Sequence, residues 1–595
     1  MSQASAGPGG TAPSPAEPDG TPAPVPPPAG GTTGDGNVVS HPDDPARTGA
    51  PPEAGAEQAG AHEITGAAPA AATGGAPRAG GWRDAAARFA PTGAAAAVML
   101  GAGLWGLARE GSMGNDEVAT RWAALLGLRD LAHLLNNQDA VHGLYYLLMH
   151  WWAAAGSGPA VLRTPSVLAM TAAVAMTAVL ARRLTGSGWA GLFAGLVMAL
   201  TPVISFYAQT ARSYAMVVAC VTGATLVLVR ALEAEAAGTA GPRLVRWWLA
   251  YGALVTLAGY LNELSLLMLV AHAVTVLIAR QSPRVLGHWA LAAAVGAVLA
   301  VPLVLISVRE DGAVTWINRP GLADLRVLFR DYFGVSTAAA VLLLGCAVVA
   351  VLPSARAWRR PAPAAPGAGD APAWWRGGVS LPSVATPLVV LPALVLLGES
   401  LVARPLYVDR YVLYGEAGAA MLAGAGMWRI GRWLGRAAGQ PGLLWVPGAV
   451  VCACALVLQL GPQHRIRTPD SRLFDFGGPS AYVGANARPG DGVLFFGTLF
   501  RKARLGYPGD FARTADFAMA ESPQQAGSFR GTDKPFPAVG PLMPRYPRIW
   551  AVGAVPSARL PVPQLREESA VLRRGFTLVA ERRFRGIVVT LWQRR

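Results

Sequence analysis

The chain contains 595 residues, of which 52% are hydrophobic and only 14% are charged. Soluble domains carry about 25% charged residues, so this composition excludes an ordinary soluble enzyme and indicates a polytopic membrane protein. The formal net charge of +15 does not indicate a nucleic-acid partner, because the arginines are spread over many short loops rather than collected in one patch. The four cysteines, Cys220, Cys346, Cys452 and Cys454, all lie in apolar runs, which is typical of small core residues and not of a disulfide framework.

Residues 1–80 are rich in Pro, Ala, Gly and Thr and contain almost no large apolar side chain. Such a segment cannot bury enough apolar surface to fold, so we expect a disordered tail. No basic and apolar segment typical of a signal peptide stands near Met1. The basic residues Arg78, Arg83 and Arg88 precede the first apolar run and predict that this tail lies in the cytoplasm.

A membrane-spanning helix needs about 20 mostly apolar residues. Eleven stretches meet this requirement, and the third and fifth are the shortest: 91–108, 161–181, 188–204, 213–232, 247–261, 264–280, 288–308, 336–353, 383–402, 411–428 and 441–460. With the N-terminus inside, every loop predicted to lie inside carries arginines and few carboxylates, whereas the outside loops mix both signs. The sequence therefore predicts a multi-pass transmembrane domain, residues 81–460, in the plasma membrane.

Residues 461–595 are more polar and hold the only two lysines, Lys502 and Lys534. An odd number of spans places this segment outside the cell. Turn residues and β-branched or aromatic runs predict one helix and four strands, over 479–487, 492–497, 548–552, 576–581 and 587–593. We therefore expect a mainly α polytopic membrane protein with a small extracytoplasmic α/β domain at its C-terminus.

The first outer loop, residues 109–160, opens with two adjacent carboxylates, Asp116 and Glu117, directly after the first apolar run. It continues with an aromatic segment that contains His142 and Tyr146 and suits a membrane–water interface. A carboxylate can accept a proton from a hydroxyl group. An acidic pair beside an aromatic interfacial segment indicates acid–base chemistry on a group that a lipid carries.

Arginine and tyrosine can hold a phosphate, and several of them recur at the predicted outer ends of spans. These residues, with one glutamine, are Arg163, Gln209, Arg212, Tyr214, Arg410 and Tyr411. Each feature also has a simpler interpretation. Asn115 could be an N-cap with acidic residues favoured in the following turn, His142 could be an ordinary interfacial residue, and the arginines could extend towards lipid headgroups.

In their order along the chain, these motifs resemble the GT-C superfamily of membrane glycosyltransferases, in particular the branch of protein O-mannosyltransferases, the lipid A aminoarabinose transferase and actinobacterial mannosyltransferase-like proteins. The resemblance covers about residues 90–430. The motifs that carry it are Asp116-Glu117, His142-Gly143-Leu144-Tyr145-Tyr146 (which lacks the two prolines of the family pattern), Arg163-Thr164-Pro165-Ser166, Gln209-Thr210-Ala211-Arg212-Ser213-Tyr214 and Arg410-Tyr411.

The resemblance implies an inverting glycosyltransferase of EC class 2.4. Its donor would be a polyprenyl-phosphate-linked sugar, mannose or a similar one, and its acceptor an extracytoplasmic glycan, lipid or protein. Asp116 would be the general base, and Glu117 would orient the acceptor or the base. His142, Arg212 and Arg410 would neutralise the leaving phosphate.

The remaining motif residues, Tyr146, Arg163, Gln209, Tyr214 and Tyr411, would also bind substrate. No cofactor is certain. Some members of the superfamily use a divalent metal at the acidic loop and others do not, and the sequence leaves this choice open.

Two other classes of protein fit a polytopic chain. A lipid or glycan transporter usually shows repeated halves and ionisable residues at the midplane, and we find no internal repeat. A non-catalytic cell-envelope assembly protein would keep the fold and recruit partners through its outer domain.

Overall fold

Helices make up most of the computed structural model, and a β-sheet follows near the C-terminus. The structure describes residues 81–108, 112–308, 310, 316–352, 378–554 and 570–595. The predicted disordered tail, residues 1–80, lies outside the described residues.

The helices up to the middle of the chain are α1 (Gly81–Leu104), α2 (Asn115–Leu125), α3 (Leu128–Asn137), α4 (Gly143–Trp152), α5 (Pro159–Thr185), α6 (Gly188–Leu200), α7 (Pro202–Ala208), α8 (Tyr214–Ala236), α9 (Pro242–Leu261), α10 (Met268–Ile278) and α11 (Pro283–Ser307). They are followed by α12 (Leu322–Phe333), α13 (Thr337–Val351), α14 (Leu381–Val402), α15 (Gly415–Ala437) and α16 (Val446–Arg465). The C-terminal segment adds α17 (Gly477–Asn486), α18 (Lys502–Gly506) and α19 (Phe536–Val539).

Proline and glycine set the helix boundaries that position the site. Helix α5 begins with Pro159, because the N–H that a proline lacks would have no partner at the start of a helix. It ends at Thr185, and the next residue, Gly186, has a φ of +70°. Helices α6 and α7 bend by 68° at their junction, where Pro202 cannot donate to the preceding turn. Helix α7 then ends at Ala208, directly before the turn that carries Gln209 and Arg212.

Six of the described helices are long and apolar enough to cross a membrane, or up to eight if each of two bent helix pairs forms one span. The bent pairs are α6 with α7 and α12 with α13, and two shorter apolar helices cover Phe89–Leu104 and Glu263–Ile278. Each of the eleven predicted stretches falls mainly on helical structure. A multi-pass membrane protein is thus confirmed, whereas the count of eleven spans is not.

Helix α15 lies in the centre of the bundle and is lined with small residues. A Cβ atom on Gly424 would lie 2.4 Å from the backbone nitrogen of Ala194 on α6, and one on Gly426 would lie 1.8 Å from the carbonyl oxygen of Cys346 on α13. Only glycine permits this approach of helix backbones, which is a common packing mode within membranes. Of the four cysteines, Cys454 is exposed on α16 and does not fit the predicted core position, whereas the others are buried.

The C-terminal segment contains all four predicted strands, and they belong to a mixed sheet with the strand order β2-β1-β5-β7-β6. Its strands are β1 (Asp491–Phe496), β2 (Thr514–Asp516), β5 (Arg548–Ala554), β6 (Phe576–Phe584) and β7 (Ile587–Arg594), and β3 (Met519–Glu521) with β4 (Thr532–Asp533) forms a separate pair. Strand β1 is parallel to both neighbours and almost fully buried, which explains its continuous apolar run. The short strands β2, β3 and β4 carry no alternating pattern and were not predicted.

This C-terminal domain packs directly on the loop that carries Asp116 and Glu117. Arg121 on α2 donates from Nη1 to the carbonyl oxygen of Gly506 at 2.9 Å. The backbone nitrogen of Phe529 donates to Oε1 of Gln138 at 3.1 Å, and the Phe529 ring contacts Trp122 edge-on. The acidic loop therefore lies between the helical bundle and the C-terminal domain.

Candidate active site

The two adjacent carboxylates lie in the first turn of α2, whose N-cap is Gly114. The predicted alternative that Asn115 is the N-cap is therefore wrong, because Asn115 is the first helical residue. Acidic side chains are stabilised in this turn by the helix dipole. Consecutive residues on a helix point about 100° apart, so Asp116 and Glu117 face different surroundings.

Glu117 faces inward and is 1% exposed. Arg163 donates to both of its carboxylate oxygens, at 2.7 and 2.8 Å, and the backbone nitrogens of Gly114 and Ala211 donate at 3.0 Å each. Arg472 from the C-terminal domain adds a contact of 3.6 Å. Burial opposes ionisation, but the charges of Arg472 and Arg163 and these hydrogen bonds lower the pKa of Glu117 to about 2. Glu117 joins four separate segments and presents no free face to a substrate.

Two other predicted substrate-binding residues are likewise occupied within the protein. Arg163 is 3% exposed and, besides Glu117, donates to the carbonyl oxygen of Ser112 at 2.9 Å. Gln209 donates from Nε2 to the carbonyl oxygens of Gly103 and Trp105, at 2.9 and 2.7 Å. Carbonyls at a helix end lack intrahelical partners, so Gln209 fixes the end of α1. Both side chains position the acidic loop.

Asp116 faces the other way and is partly exposed. Among the described residues, its carboxylate accepts only from Nδ2 of Asn115, at 3.2 Å, and no basic atom lies within 4 Å. Burial opposes its ionisation, but the positive charges of Arg212, Arg410 and Lys502 outweigh burial and lower the pKa of Asp116. The structure thus provides an ionised carboxylate whose cationic neighbours do not contact it directly.

Arg212 is held by a carboxylate that the sequence motifs did not single out. It donates from Nη2 to Oδ2 of Asp139 at 3.2 Å and from Nη1 to the hydroxyl of Tyr146. The Tyr146 hydroxyl in turn donates to Asp139. Asp139 has a φ of 63°, and Glu310 fixes this turn by accepting from the backbone nitrogens of Asp139 and Ala140, both at 2.8 Å. The only signal for Asp139 in the sequence was that it lies three residues before His142.

His142 is 6% exposed, and its Nε2 lies 3.9 Å from Oδ1 of Asp139. Burial and then the charge of Arg212 lower the pKa of His142 to about 4, against the opposing effect of Asp139 and Asp116. The imidazole is therefore neutral at pH 7. It can donate or accept a hydrogen bond, but it does not fit the expected role of a cation that neutralises a phosphate.

Arg410 lies in a 3-10 turn, Asp409–Val412, and its charge is held by aromatic rings. Its Nε donates to the hydroxyl of Tyr214 at 2.9 Å. The guanidinium carbon lies 5.6, 5.4 and 5.5 Å from the ring centres of Tyr214, Trp316 and Tyr411. Cation–π contacts stabilise an arginine without neutralising it. Among the described residues, no carboxylate lies within 4 Å of this guanidinium.

Lys502 is a site residue that the sequence did not indicate. It begins α18 of the C-terminal domain and is 5% exposed. Its Nζ donates to Oδ1 of Asn115 at 2.9 Å and lies 5.3 Å from the ring centre of Phe529. Burial lowers the pKa of Lys502 to about 8, although Asp116 counteracts this effect. The only available signal was that lysine occurs just twice in the chain.

The charges around Asp116 do not balance. Among the described residues whose charges act on Asp116, Arg212, Arg410 and Lys502 are cationic and Asp139 is anionic, so three positive charges face two negative ones when Asp116 itself is counted. Two buried nitrogen atoms, Nε of Arg212 and Nδ1 of His142, also have no hydrogen-bond partner in the described structure. Buried polar groups are rarely left without partners, so this group is suited to an anionic ligand with hydrogen-bond acceptors.

A divalent metal does not fit the same place. Within the described residues, no three His, Cys, Asp or Glu side chains come together as a ligand set. Asp139 is already paired with Arg212, and the surplus positive charge would repel a cation. We therefore derive no catalytic step through a metal.

A protein-family model matches part of the chain. The family model described as dolichyl-phosphate-mannose-protein mannosyltransferase matches residues 132–306, which include Asp139, His142, Arg163 and Arg212. No curated protein matches the sequence.

Among solved structures, apo ArnT from Cupriavidus metallidurans is similar, with a TM-score of 0.51 and 14% sequence identity over 85% of this chain and 98% of ArnT. ArnT bound to undecaprenyl phosphate matches with a TM-score of 0.51 and 16% identity over 84% of this chain and 98% of ArnT. The oligosaccharyltransferase of Archaeoglobus fulgidus matches with a TM-score of 0.42 and 10% identity over 80% of this chain and 70% of that protein. The family model and the fold of ArnT together confirm the resemblance to the GT-C superfamily of membrane glycosyltransferases.

Proposed function

We propose that this protein transfers a sugar, mannose or a similar one, from a polyprenyl-phosphate carrier to an acceptor outside the cytoplasm. The observation that carries the proposal is the accessible carboxylate of Asp116 beside three cations with one uncompensated positive charge. ArnT, whose fold is similar, binds undecaprenyl phosphate in one of its structures, which supports a polyprenyl carrier here.

The donor phosphate would bind between Arg212 and Arg410. A sugar joined to a polyprenyl chain through a phosphodiester carries one negative charge, which matches the surplus of the site. When the sugar leaves, the phosphate becomes a monoester with a second pKa near 6 and carries close to two negative charges at neutral pH. Cations placed before the reaction stabilise this developing charge, so they lower the barrier rather than only improving binding.

Asp116 would accept the proton of the acceptor hydroxyl. Its three cationic neighbours make the free carboxylate weakly basic, because they lower its pKa. The bound donor phosphate would offset those charges and raise the pKa of Asp116, so that the base becomes stronger once the donor is in place. The acceptor oxygen would attack the anomeric carbon from the face opposite the phosphate and invert its configuration.

The other motif residues would act through these groups. Glu117, with Arg163 and Gln209, would fix the direction of α2 and hence of Asp116. Tyr146 would orient Arg212, and Tyr214 with Tyr411 would hold Arg410. Of the two roles expected for Glu117, the occupied carboxylate favours positioning the base over contacting the acceptor.

We further propose that residues 1–80 lie in the cytoplasm and that residues 461–595 form an extracytoplasmic domain beside the acidic loop. Topology reporters at about residue 60 and after Arg595 should then report opposite sides of the membrane. Two reporters on the same side would contradict this orientation.

The function itself is tested by transfer. Membrane vesicles that contain the protein should move labelled mannose from polyprenyl-phosphate mannose to endogenous acceptors, and vesicles from a strain without the protein should not. The transferred sugar should also be absent from the cell-envelope glycans or glycoproteins of the strain without the protein. Unchanged glycans and equal transfer in both strains would exclude a glycosyltransferase and favour an assembly protein. Accumulation of the unused lipid-linked sugar on the cytoplasmic side would favour a transporter.

A further inference from the structure

We propose that Lys502 is a direct ligand of the donor phosphate, so that the C-terminal domain completes the active site. The inference rests on the proposed function and deepens it, because none of the motif residues comes from this domain. It also assigns a role to a domain whose sequence indicates only a small α/β fold.

The backbone at Lys502 is fixed by its surroundings. The preceding residue, Arg501, is 2% exposed and pairs with Asp516 at 2.7 Å and with Asp533. At the other end of α18, Gly506 accepts from Arg121 on α2, and a Cβ atom on Gly506 would lie 2.9 Å from Val118. Helix α18 is thereby held against the helix that carries Asp116, and Lys502 has little freedom to move away.

The ammonium group of Lys502 is not satisfied by the protein. It carries three N–H donors, and among the described residues only Asn115 offers acceptors, Oδ1 at 2.9 Å and the carbonyl oxygen at 3.5 Å. No carboxylate of the described residues lies within 4 Å of this ammonium group. Burying a charge without a counter-ion costs free energy. The hydrogen bond to the neutral amide of Asn115 does not offset this cost, so the burial of Lys502 requires another explanation.

A phosphate explains both the burial and the missing partner. Lys502 is one of the three cations that act on Asp116, together with Arg212 and Arg410. Within this group, two arginines would face two carboxylates, Asp116 and Asp139, if Lys502 were absent. The surplus charge that matches a phosphodiester therefore depends on the C-terminal domain.

The test measures binding of polyprenyl phosphate to the purified full-length protein and to Lys502→Gln, Lys502→Arg and Lys534→Gln. Loss of one hydrogen-bonded charge contact should weaken binding by roughly 10- to 100-fold in Lys502→Gln. Lys502→Arg should regain much of the affinity. Lys534 is the matched control, because it lies in the same domain and its ammonium group donates to the carbonyl oxygen of Phe517, at 3.0 Å, and to no other described residue, so its variant should bind normally.

Asn115→Ala separates a ligand from a structural link. If Lys502 only tethers α18 to α2, removing the Asn115 acceptor should weaken binding as much as Lys502→Gln does. If Lys502 holds the phosphate, Asn115→Ala should weaken binding less than Lys502→Gln does, because the ammonium group is still present. Wild-type affinity in Lys502→Gln, or equal losses in Lys502→Gln and Asn115→Ala, would overturn the inference.

Two further measurements distinguish a failure of this inference from a failure of the proposed function. Inorganic phosphate should compete poorly with polyprenyl phosphate, and equal competition would overturn a lipid-carrier site. A wild-type protein that transfers sugar and binds the lipid while Lys502→Gln behaves identically would overturn this inference alone. A wild-type protein that neither binds the lipid nor transfers sugar would overturn the proposed function, and this inference with it.

Discussion

Asp116 and Glu117 are adjacent in sequence, yet their surroundings are opposite. Around Glu117, one buried carboxylate accepts hydrogen bonds from Arg163 and from two backbone nitrogens, and it forms an ion pair with Arg472. Around Asp116, three cations lie close but do not contact the carboxylate, and one positive charge is left over. A satisfied network fixes geometry, whereas an unsatisfied one can bind a ligand. The comparison separates the residue that holds the loop from the residue that we assign to chemistry.

The largest effect is expected when the hydrogen-bonded network around Glu117 is disrupted. Glu117→Gln leaves Arg163 buried without its counter-ion and should destabilise the folded protein by about 3–5 kcal/mol. Thermal unfolding of the purified protein measures this loss, and transfer should disappear with it. The double variant Glu117→Met with Arg163→Met removes both charges and should regain part of the stability. A stable Glu117→Gln protein would contradict the scaffold role.

A smaller effect is expected for the arginines on the open side. Arg212→Gln and Arg410→Gln should each lower transfer by roughly 10- to 100-fold, since each removes one charged contact to the phosphate. Their thermal unfolding should change less than that of Glu117→Gln. As a control, Arg583→Gln changes an exposed arginine of the C-terminal domain and should leave transfer unchanged. Normal transfer in both site variants would mean that these arginines serve only as anchors.

The smallest effect is a pH dependence of lipid binding. The pKa of Lys502 in the free protein is about 8, so its charge is present below pH 8 and is lost as the pH rises through that value. The charged groups that act on it are Asp116, Arg530, Arg212 and Asp139. From pH 7 upwards most of the phosphate is already ionised, so affinity for polyprenyl phosphate should fall several-fold between about pH 7 and about pH 9, which lie about one unit on each side of this pKa.

The variants sharpen this measurement. Lys502→Gln should show no such fall, and Lys502→Arg should keep its affinity at the alkaline end, because arginine stays protonated. The same alkaline loss in all three proteins would assign the titration to another group.

Much of the fold was predictable from composition and periodicity. Apolar runs located the membrane helices, and turn residues with apolar strands located β1, β5, β6 and β7. These signals are local, since each depends on side chains that lie within one element. The count of spans was not predictable in the same way, because it depends on whether each of two bent helix pairs forms one span and on two apolar helices that are short.

The candidate site was predictable only in part, because its contacts join distant segments. Arg212 and Asp116 stand in recognisable motifs, but no pattern along the chain shows that Glu310 fixes the turn at Asp139, 171 residues earlier. Lys502 and Asn115 are 387 residues apart. The sequence also does not show that the side chains of Asp116 and Glu117 face different surroundings. This difference depends on where α2 begins and on which residues pack against each face of that helix.

The most direct test of the account replaces the base itself. Asp116→Asn keeps the size of the side chain and suits the start of a helix, but it cannot accept a proton at neutral pH. Transfer from polyprenyl-phosphate mannose in membrane vesicles should fall by about 10²–10⁴-fold, while protein level and thermal unfolding stay close to wild type. A well-folded Asp116→Asn protein with undiminished transfer would contradict the assignment of Asp116 as the catalytic base.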